Sequence, residues 1–233
     1  MATTTDESRF RSRTSETFTR IREDVISGKF APGTKLKIEE IARALDVGAT
    51  PVREALSSLS SDGLVVRQDQ RGFRVAEISA SEFGELLDIR CLVEERALRL
   101  AIERGEADWV EGIVLARHRL KSSSRSGEFD LEWERCHKSF HIALIAACGS
   151  SILLRLCNQF FDENNRYRSI ARTSSSDSRD VGCEHEAITD AVLARDADLA
   201  VTLLLQHYRR TGKMLQDALI SKAQSSLSDA GTS

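Results

Sequence analysis

The chain's two prolines, Pro32 and Pro51, both fall in the first quarter of its 233 residues. Proline has no amide N–H and its ring strikes the preceding turn, so it ends or kinks any helix it interrupts. Everything beyond Pro51 is therefore free to run as long helices, while the first quarter is divided into short elements.

The apolar pattern follows the same division. Residues 15–28 carry Phe18, Ile21, Val25 and Ile26 at helical spacing and stop at Gly28. Ala31-Pro32-Gly33-Thr34 is a turn and Lys35-Leu36-Lys37 a short extended piece. Residues 38–45 predict a second helix with Ile38, Ile41, Ala42 and Leu45 inward, broken at Asp46-Val47-Gly48. A third helix is expected over 50–61, with Thr50 as N-cap, Pro51 in the first turn and Val52, Leu56 and Leu59 inward. Leu64-Val65-Val66 and Phe73-Arg74-Val75 read as strands around the turn Asp69-Gln70-Arg71-Gly72. Three helices and a hairpin make a winged helix-turn-helix, assigned to residues 15–78.

Beyond the junction the period is 3.6 throughout, with helices expected near 80–104, 106–122, 129–147, 151–172, 179–195 and 196–221. The fold class is thus mainly α: a winged helix-turn-helix followed by an all-α bundle of about six helices over 79–222. The Ser-rich stretches 122–126 and 173–178 are expected loops; residues 1–14 and 223–233 are expected to be a disordered leader and tail.

Composition excludes several classes. No apolar run approaches the roughly 20 residues that span a bilayer, and Met1 to Arg13 lacks the apolar centre of a secretory signal. The five cysteines are odd in number and form no C-x-x-C pair, which suggests reduced thiols and a cytoplasmic protein. Net charge is −3; residues 1–78 carry 13 Lys and Arg against 12 Asp and Glu, so any nucleic-acid surface must be local.

The most specific segment is Thr50-Pro51-Val52-Arg53-Glu54-Ala55-Leu56, followed by Leu59, Asp62-Gly63-Leu64-Val65 and Arg71-Gly72. With Ile21, Gly28, Pro32-Gly33 and Leu36 upstream, it resembles the GntR superfamily of bacterial repressors over about residues 15–78. The resemblance implies that 50–61 is the recognition helix and 64–75 the wing. Elementary physics is consistent with that reading. A recognition helix presents its N-terminal amides and short polar side chains to phosphates, as Thr50 could. Arg53 can reach a phosphate or a guanine edge, and Arg71 on the Gly72 tip can approach the backbone or minor groove of double-stranded DNA. The alternatives are that Thr50 only caps its helix and Arg53 pairs with Glu54 or Asp62. Gly48-Ala49 stands where the family usually has Ser-Arg, so one arginine contact to the operator is missing.

Five histidines occur, and four face inward. His137 and His141 lie one turn apart beside the stripe of Trp133, Phe140, Leu144 and Cys148. His185 aligns with Val181, Ile188 and Val192, and His207 with Leu203, Leu204, Met214 and Leu215. His118 faces away from the Trp109, Ile113, Ala116 and Leu120 stripe. Buried imidazoles need partners, and one divalent cation shared by neutral imidazoles is a common solution. A lone buried histidine is more often an ordinary satisfied core residue. Cys136 and Cys183 sit off the histidine faces and are excluded as ligands.

Residues 80–221 resemble the FCD domain, the helical effector domain of the FadR branch of GntR regulators. Its metal-binding type has Asp-x-x-Phe-His on one helix and single histidines on the last two. Here the motif reads His137-Lys138-Ser139-Phe140-His141, then Glu184-His185 and His207. The resemblance implies a divalent transition metal on His137, His141, His185 and His207. With His137 in place of Asp, an oxygen donor becomes nitrogen, which favours zinc, or nickel, over manganese or calcium. The alternative for His137 is a hydrogen bond beside the site. Arg90 lies on the stripe of Phe83, Leu86, Leu87, Glu94, Ala97 and Ala101. Buried arginine needs a carboxylate. Glu94 could supply it, or, as the resemblance implies, Arg90 and the metal could grip a small carboxylate effector together.

The function expected is a homodimeric regulator, a repressor, on a near-palindromic operator, with no membrane association. One alternative is a regulator that senses the metal itself. The other is a metal-dependent hydrolase or isomerase, for which no H-E-x-x-H base pattern exists and only Glu184 and Glu186 stand near.

Overall fold

The structure, a computed structural model, describes residues 4–123, 130–171 and 180–230, and side chains within 13–123, 130–171 and 180–221. It divides into two compact units, Met1–Ile78 and Ser79–Ser233.

The first unit contains α1 (Thr4–Ile26), β1 (Lys35–Leu36), α2 (Ile38–Leu45), α3 (Ala49–Ser61), β2 (Val65–Gln68) and β3 (Gly72–Val75). The strands form one antiparallel sheet in the order β1-β3-β2, with Leu36 opposite Phe73 and Gln68 opposite Gly72. Its core is the set the helical spacing picks out, Ile21, Val25, Ile41, Val52, Leu56 and Leu59, sealed by Leu64 and by Leu36, Phe73 and Val75 from the sheet. Gly72 closes the hairpin at φ 90°, a left-handed backbone that glycine takes without strain. The extended piece at Lys35-Leu36 thus becomes a third strand of the wing. Thr50 is not an N-cap. α3 begins at Ala49, with Gly48 extended in the N-cap position and no side-chain cap. Thr50 instead lies exposed in the first turn.

The second unit contains α4 (Ala80–Arg104), α5 (Ala107–Ser122), α6 (Leu131–Ile145), a 3₁₀ turn (Ala146–Cys148), α7 (Ser151–Ala171), α8 (Val181–Leu193) and α9 (Ala197–Ala230). Polar side chains set three starts. Ser79 accepts from the Glu82 amide, Asp130 from those of Glu132 and Trp133, and Asp180 from that of Cys183. α4 packs along α7 and α9. At Gly212 the α4–α9 approach is so close that a Cβ would lie 2.2 Å from Leu87 Cδ2. That closeness brings the buried faces of α4 and α9 together around one apolar core of Leu98, Ile113, Phe140, Leu144, Ile188 and Leu204.

Two differences from the sequence reading concern the ends. α1 starts at Thr4 and α9 runs to Ala230, so helix enters both segments expected to lack structure. Neither extension contains Pro or Gly, and a helix already nucleated on a packed segment propagates cheaply through such residues. Of the expected Ser-rich loops, residues 124–126 and 173–178 lie outside the described residues. Among the described residues, no helix is long and apolar enough to cross a membrane.

Candidate functional site

Each unit presents its own candidate site. In the first, α3 offers an exposed N-terminal turn. Pro51 and Val52 turn into the core, which fixes the outward face, and Thr50 and Arg53 are exposed there. Among the described residues no ion pair engages Arg53; Glu54 lies 3.5 Å from the Thr14 hydroxyl instead. At the wing tip Arg71 and Gly72 are both exposed, and a Cβ on Gly72 would meet nothing within 4 Å. Arg74, by contrast, is occupied, bonding Gln68 Oε1 and the Gly33 carbonyl. Uncapped amides at a helix start with exposed arginines one turn in and at a hairpin tip suit a phosphate backbone.

In the second unit, His137 and His141 of α6, His185 of α8 and His207 of α9 converge. Each is buried, and one ring nitrogen from every histidine lies within 4.8 Å of the other three. Those are the four residues singled out by facing; His118 is exposed, as its helical position requires. Cys183 is exposed against Asp180, and Cys136 points to Glu132. Burial, and then the nearby Arg168, holds His137 well below the ordinary imidazole value. Burial and then the neighbouring His185 and His207 do the same for His141. Both are therefore neutral, the form that ligates metals.

The outer ring nitrogens decide which lone pairs face inward. His207 Nδ1 lies 2.8 Å from Glu184 Oε2, and a carboxylate only accepts, so Nδ1 carries the proton and Nε2 is left as a donor to metal. His141 Nδ1 lies 3.1 Å from the Tyr208 hydroxyl. That hydroxyl donates to Glu94, so it accepts from Nδ1–H, and Nε2 of His141 is again unprotonated, with its lone pair toward the cluster. His137 differs. Arg168 Nη1, always a donor, lies 3.1 Å from His137 Nδ1. In the neutral ring the proton then sits on Nε2, 3.1 Å from His141 Nε2. Two of the four histidines are thus oriented by acceptors in the way ligating imidazoles are, while His137 must shed or move a proton to join them. The nitrogen donor set fits zinc or nickel.

Arg90 and Glu94 are both present at this site, and they are partners. Their side chains are each 3% exposed, with Nε 2.6 Å from Glu94 Oε1. Burial works against the Arg90 charge, but Glu94 and Tyr208 outweigh it and hold the guanidinium above its ordinary value. The Arg90 guanidinium also lies 4.0 Å from the Tyr208 ring centroid and 5.2 Å from that of Phe161. Burial, and then the Glu94 charge, pushes the Tyr208 hydroxyl well above the usual phenol value, so it stays protonated.

Four participants are missing from the sequence reading: Arg168, Glu134, Tyr208 and the orienting role of Glu184. Arg168 pairs with both oxygens of Glu134 and stands over the Trp133 ring at 5.1 Å. Glu184, singled out only as a base for an enzyme, is committed to His207 and to Arg210 at 3.2 Å. The one available signal was spacing: Arg168 falls on the α7 face of Phe161, and Glu134 one turn before Lys138 and His137.

Comparison with known proteins aligns both units. Residues 13–75 match the family model described as bacterial regulatory proteins, gntR family, and residues 85–210 that of the FCD domain. The chain is 36% identical over 202 residues to the uncharacterised HTH-type transcriptional regulator BphR of Paraburkholderia xenovorans, covering 84% of this chain and 82% of that protein. It is 35% identical over 206 residues to the HTH-type transcriptional repressor GlaR of Escherichia coli, covering 85% and 94%. Among solved structures, E. coli McbR/YncC superposes with a TM-score of 0.77 at 20% identity over 88% of this chain and 97% of that one, a likeness of fold.

Proposed function

The chain belongs to the gntR family of bacterial regulatory proteins and carries an FCD domain, so it is a transcriptional regulator and not an enzyme; we propose that it is a cytoplasmic repressor whose grip on DNA is set by a small carboxylate. In this reading two copies bind a near-palindromic operator, the symmetry of a homodimer matching that of its site. Thr50 and Arg53 enter the major groove, and Arg71 with Gly72 meets the backbone or minor groove beside it. The name of the relative GlaR, a repressor, favours the repressing sign.

The observation that carries the effector assignment is the convergence of four buried histidines beside Arg90. His141, His185 and His207 would hold a divalent transition metal, zinc or nickel, with His137 as the fourth donor. When bound, the ion supplies positive charge that attracts a carboxylate oxygen. Arg90 engages Glu94 through Nε, and its η nitrogens would hold the same carboxylate. α4 carries Arg90 and begins at Ala80, directly after the DNA-binding unit, so a ligand pulling on α4 acts close to the junction in the chain.

The test is operator binding by fluorescence anisotropy at fixed salt, with the full chain loaded with zinc or stripped by chelator, across a panel of small organic acids. The reading expects at least one acid to change operator affinity in the loaded protein and not in the stripped one. An acid that acts equally on both would move the effector site away from the histidines. Operator release on stripping alone, with no acid active, would make the ion itself the signal.

A further inference from the structure

His137 stands apart in the cluster because its outer nitrogen meets a donor. Arg168 Nη1 lies 3.1 Å from His137 Nδ1, and a guanidinium has no lone pair to offer in return. His141 and His207 instead meet Tyr208 and Glu184, which accept their Nδ1 hydrogens. Packing holds the Arg168 contact in place. Arg168 is 8% exposed, and its Nη2 pairs with both oxygens of Glu134. The guanidinium stands over the Trp133 ring at 5.1 Å. That ring stacks on His137, with centroids 4.6 Å apart and 17° between the planes.

A neutral imidazole carries one hydrogen. With Nδ1 accepting from Arg168, that hydrogen stands on Nε2, the nitrogen 3.1 Å from His141 Nε2. To offer an ion its Nε2 lone pair, His137 must carry the hydrogen on Nδ1 instead, where it would point at the Arg168 N–H. Two donors cannot share that contact, so in the neutral ring ligation by His137 and the bond from Arg168 exclude each other. An acceptor stands close by. Glu134 is buried one helical turn before His137 on α6, and both bond the same guanidinium. With Arg168 gone from between them, an acceptor at 134 could take the Nδ1 hydrogen, as Glu184 takes that of His207.

We propose that Arg168 is a positioning residue that withholds His137 from the ion. His141, His185 and His207 hold the metal while Arg168 stays on His137 Nδ1, and His137 joins as fourth donor only when that bond breaks. The proposal rests on the reading above that the cluster holds a divalent metal.

Two measurements on the full chain test it. In the chelator-stripped wild type, proton–nitrogen correlation spectra of the imidazoles read each tautomer. The expected pattern is Nε2–H at His137 and Nδ1–H at His141 and His207; a hydrogen on Nδ1 of His137 would overturn the proposal. The second is zinc affinity, by competition with a chromogenic chelator. Glu134→Gln/Arg168→Met removes one charge of each sign, so the net charge around the ion is unchanged, and it keeps a carbonyl acceptor at 134. This double variant is expected to bind zinc about tenfold or more tighter than the wild type, the scale on which outer partners of ligating imidazoles act. The same two changes should bring no gain in a His137→Ala background. No gain in the presence of His137, or an equal gain with and without it, would overturn the role of Arg168 and leave the metal reading intact. Zinc bound by neither the wild type nor the double variant would overturn both. Near-ultraviolet circular dichroism checks the fold of the double variant, and the wild-type spectra depend on no variant.

Discussion

Replacing Glu94 by Ala is expected to destabilise the helical domain by about 3–5 kcal/mol, the cost of breaking a buried ion pair from one side. The magnitude follows from the surroundings. Arg90 and Glu94 are each 3% exposed, and burial alone disfavours the guanidinium charge that Glu94 and Tyr208 sustain. Without Glu94 the charge remains, water cannot reach it, and the Tyr208 hydroxyl loses its acceptor. The double variant Arg90→Met/Glu94→Leu removes both charges and keeps the volume. Its cost should fall to about 1–3 kcal/mol, mainly that of the stranded Tyr208 hydroxyl. The double variant should therefore be about 2 kcal/mol more stable than the Glu94 variant alone, and much more stable than the two single costs summed. Urea denaturation of chelator-stripped protein followed by tryptophan fluorescence measures it. Trp109 and Trp133 are the chain's two tryptophans and both lie in this domain, so the DNA-binding unit is silent. A Glu94→Ala cost below about 1 kcal/mol, or a double variant as unstable as the two singles summed, would refute the pairing argument.

Other expectations test the remaining parts. Arg53→Ala should weaken operator binding by about 1–3 kcal/mol and leave the melting temperature unchanged; equal binding would remove Arg53 from the interface. Gly212→Val should lower the melting temperature of the helical domain, since even its Cβ would strike Leu87 at 2.2 Å; unchanged melting would mean that α4 and α9 can separate at little cost. Stripped protein should lose stability in mild acid. The folded His137 and His141 are held below the ordinary value and stay neutral, while in the unfolded chain they take up protons below about pH 6.5. The loss is absent above that pH and grows as pH falls, at about 1.4 kcal/mol per pH unit for each histidine. A flat profile in urea midpoints between pH 7 and pH 5 would show that the two rings are protonated in the fold.

The sequence made the elements legible because local rules decide them. The spacing of Val52, Leu56 and Leu59 places α3, and the inward faces of His137, His141, His185 and His207 follow from about 100° per residue. The Arg90–Glu94 pair was readable for the same reason, one helical turn separating its members. What stayed hidden joins residues far apart in the chain: Tyr208 with Glu94 and His141, Arg168 with His137 and Glu134, and Glu184 with His207. Spacing within one helix says which way a side chain faces, not what meets it there. Charged and polar residues buried on α7 also break the apolar stripe that marks an inward face, so nothing in the pattern marks Arg168 and Asn165 as inward. Thr50 fails differently: the helix begins one residue sooner, at Ala49, with Gly48 in the N-cap position, so the favourable capping residue is left inside the first turn.

The central claim is that these four histidines hold a metal. Elemental analysis of the full chain, purified without a histidine tag and then equilibrated with zinc or nickel and dialysed, tests it directly. The account predicts about one ion per chain in the wild type and in His118→Ala. It predicts near-complete loss in His141→Ala and His207→Ala, whose Nε2 lone pairs already face the cluster. It predicts weakened retention in His137→Ala, whose Nδ1 is engaged by Arg168. A wild-type chain that takes up neither metal, or His141→Ala and His207→Ala retaining as much as the wild type, would contradict it.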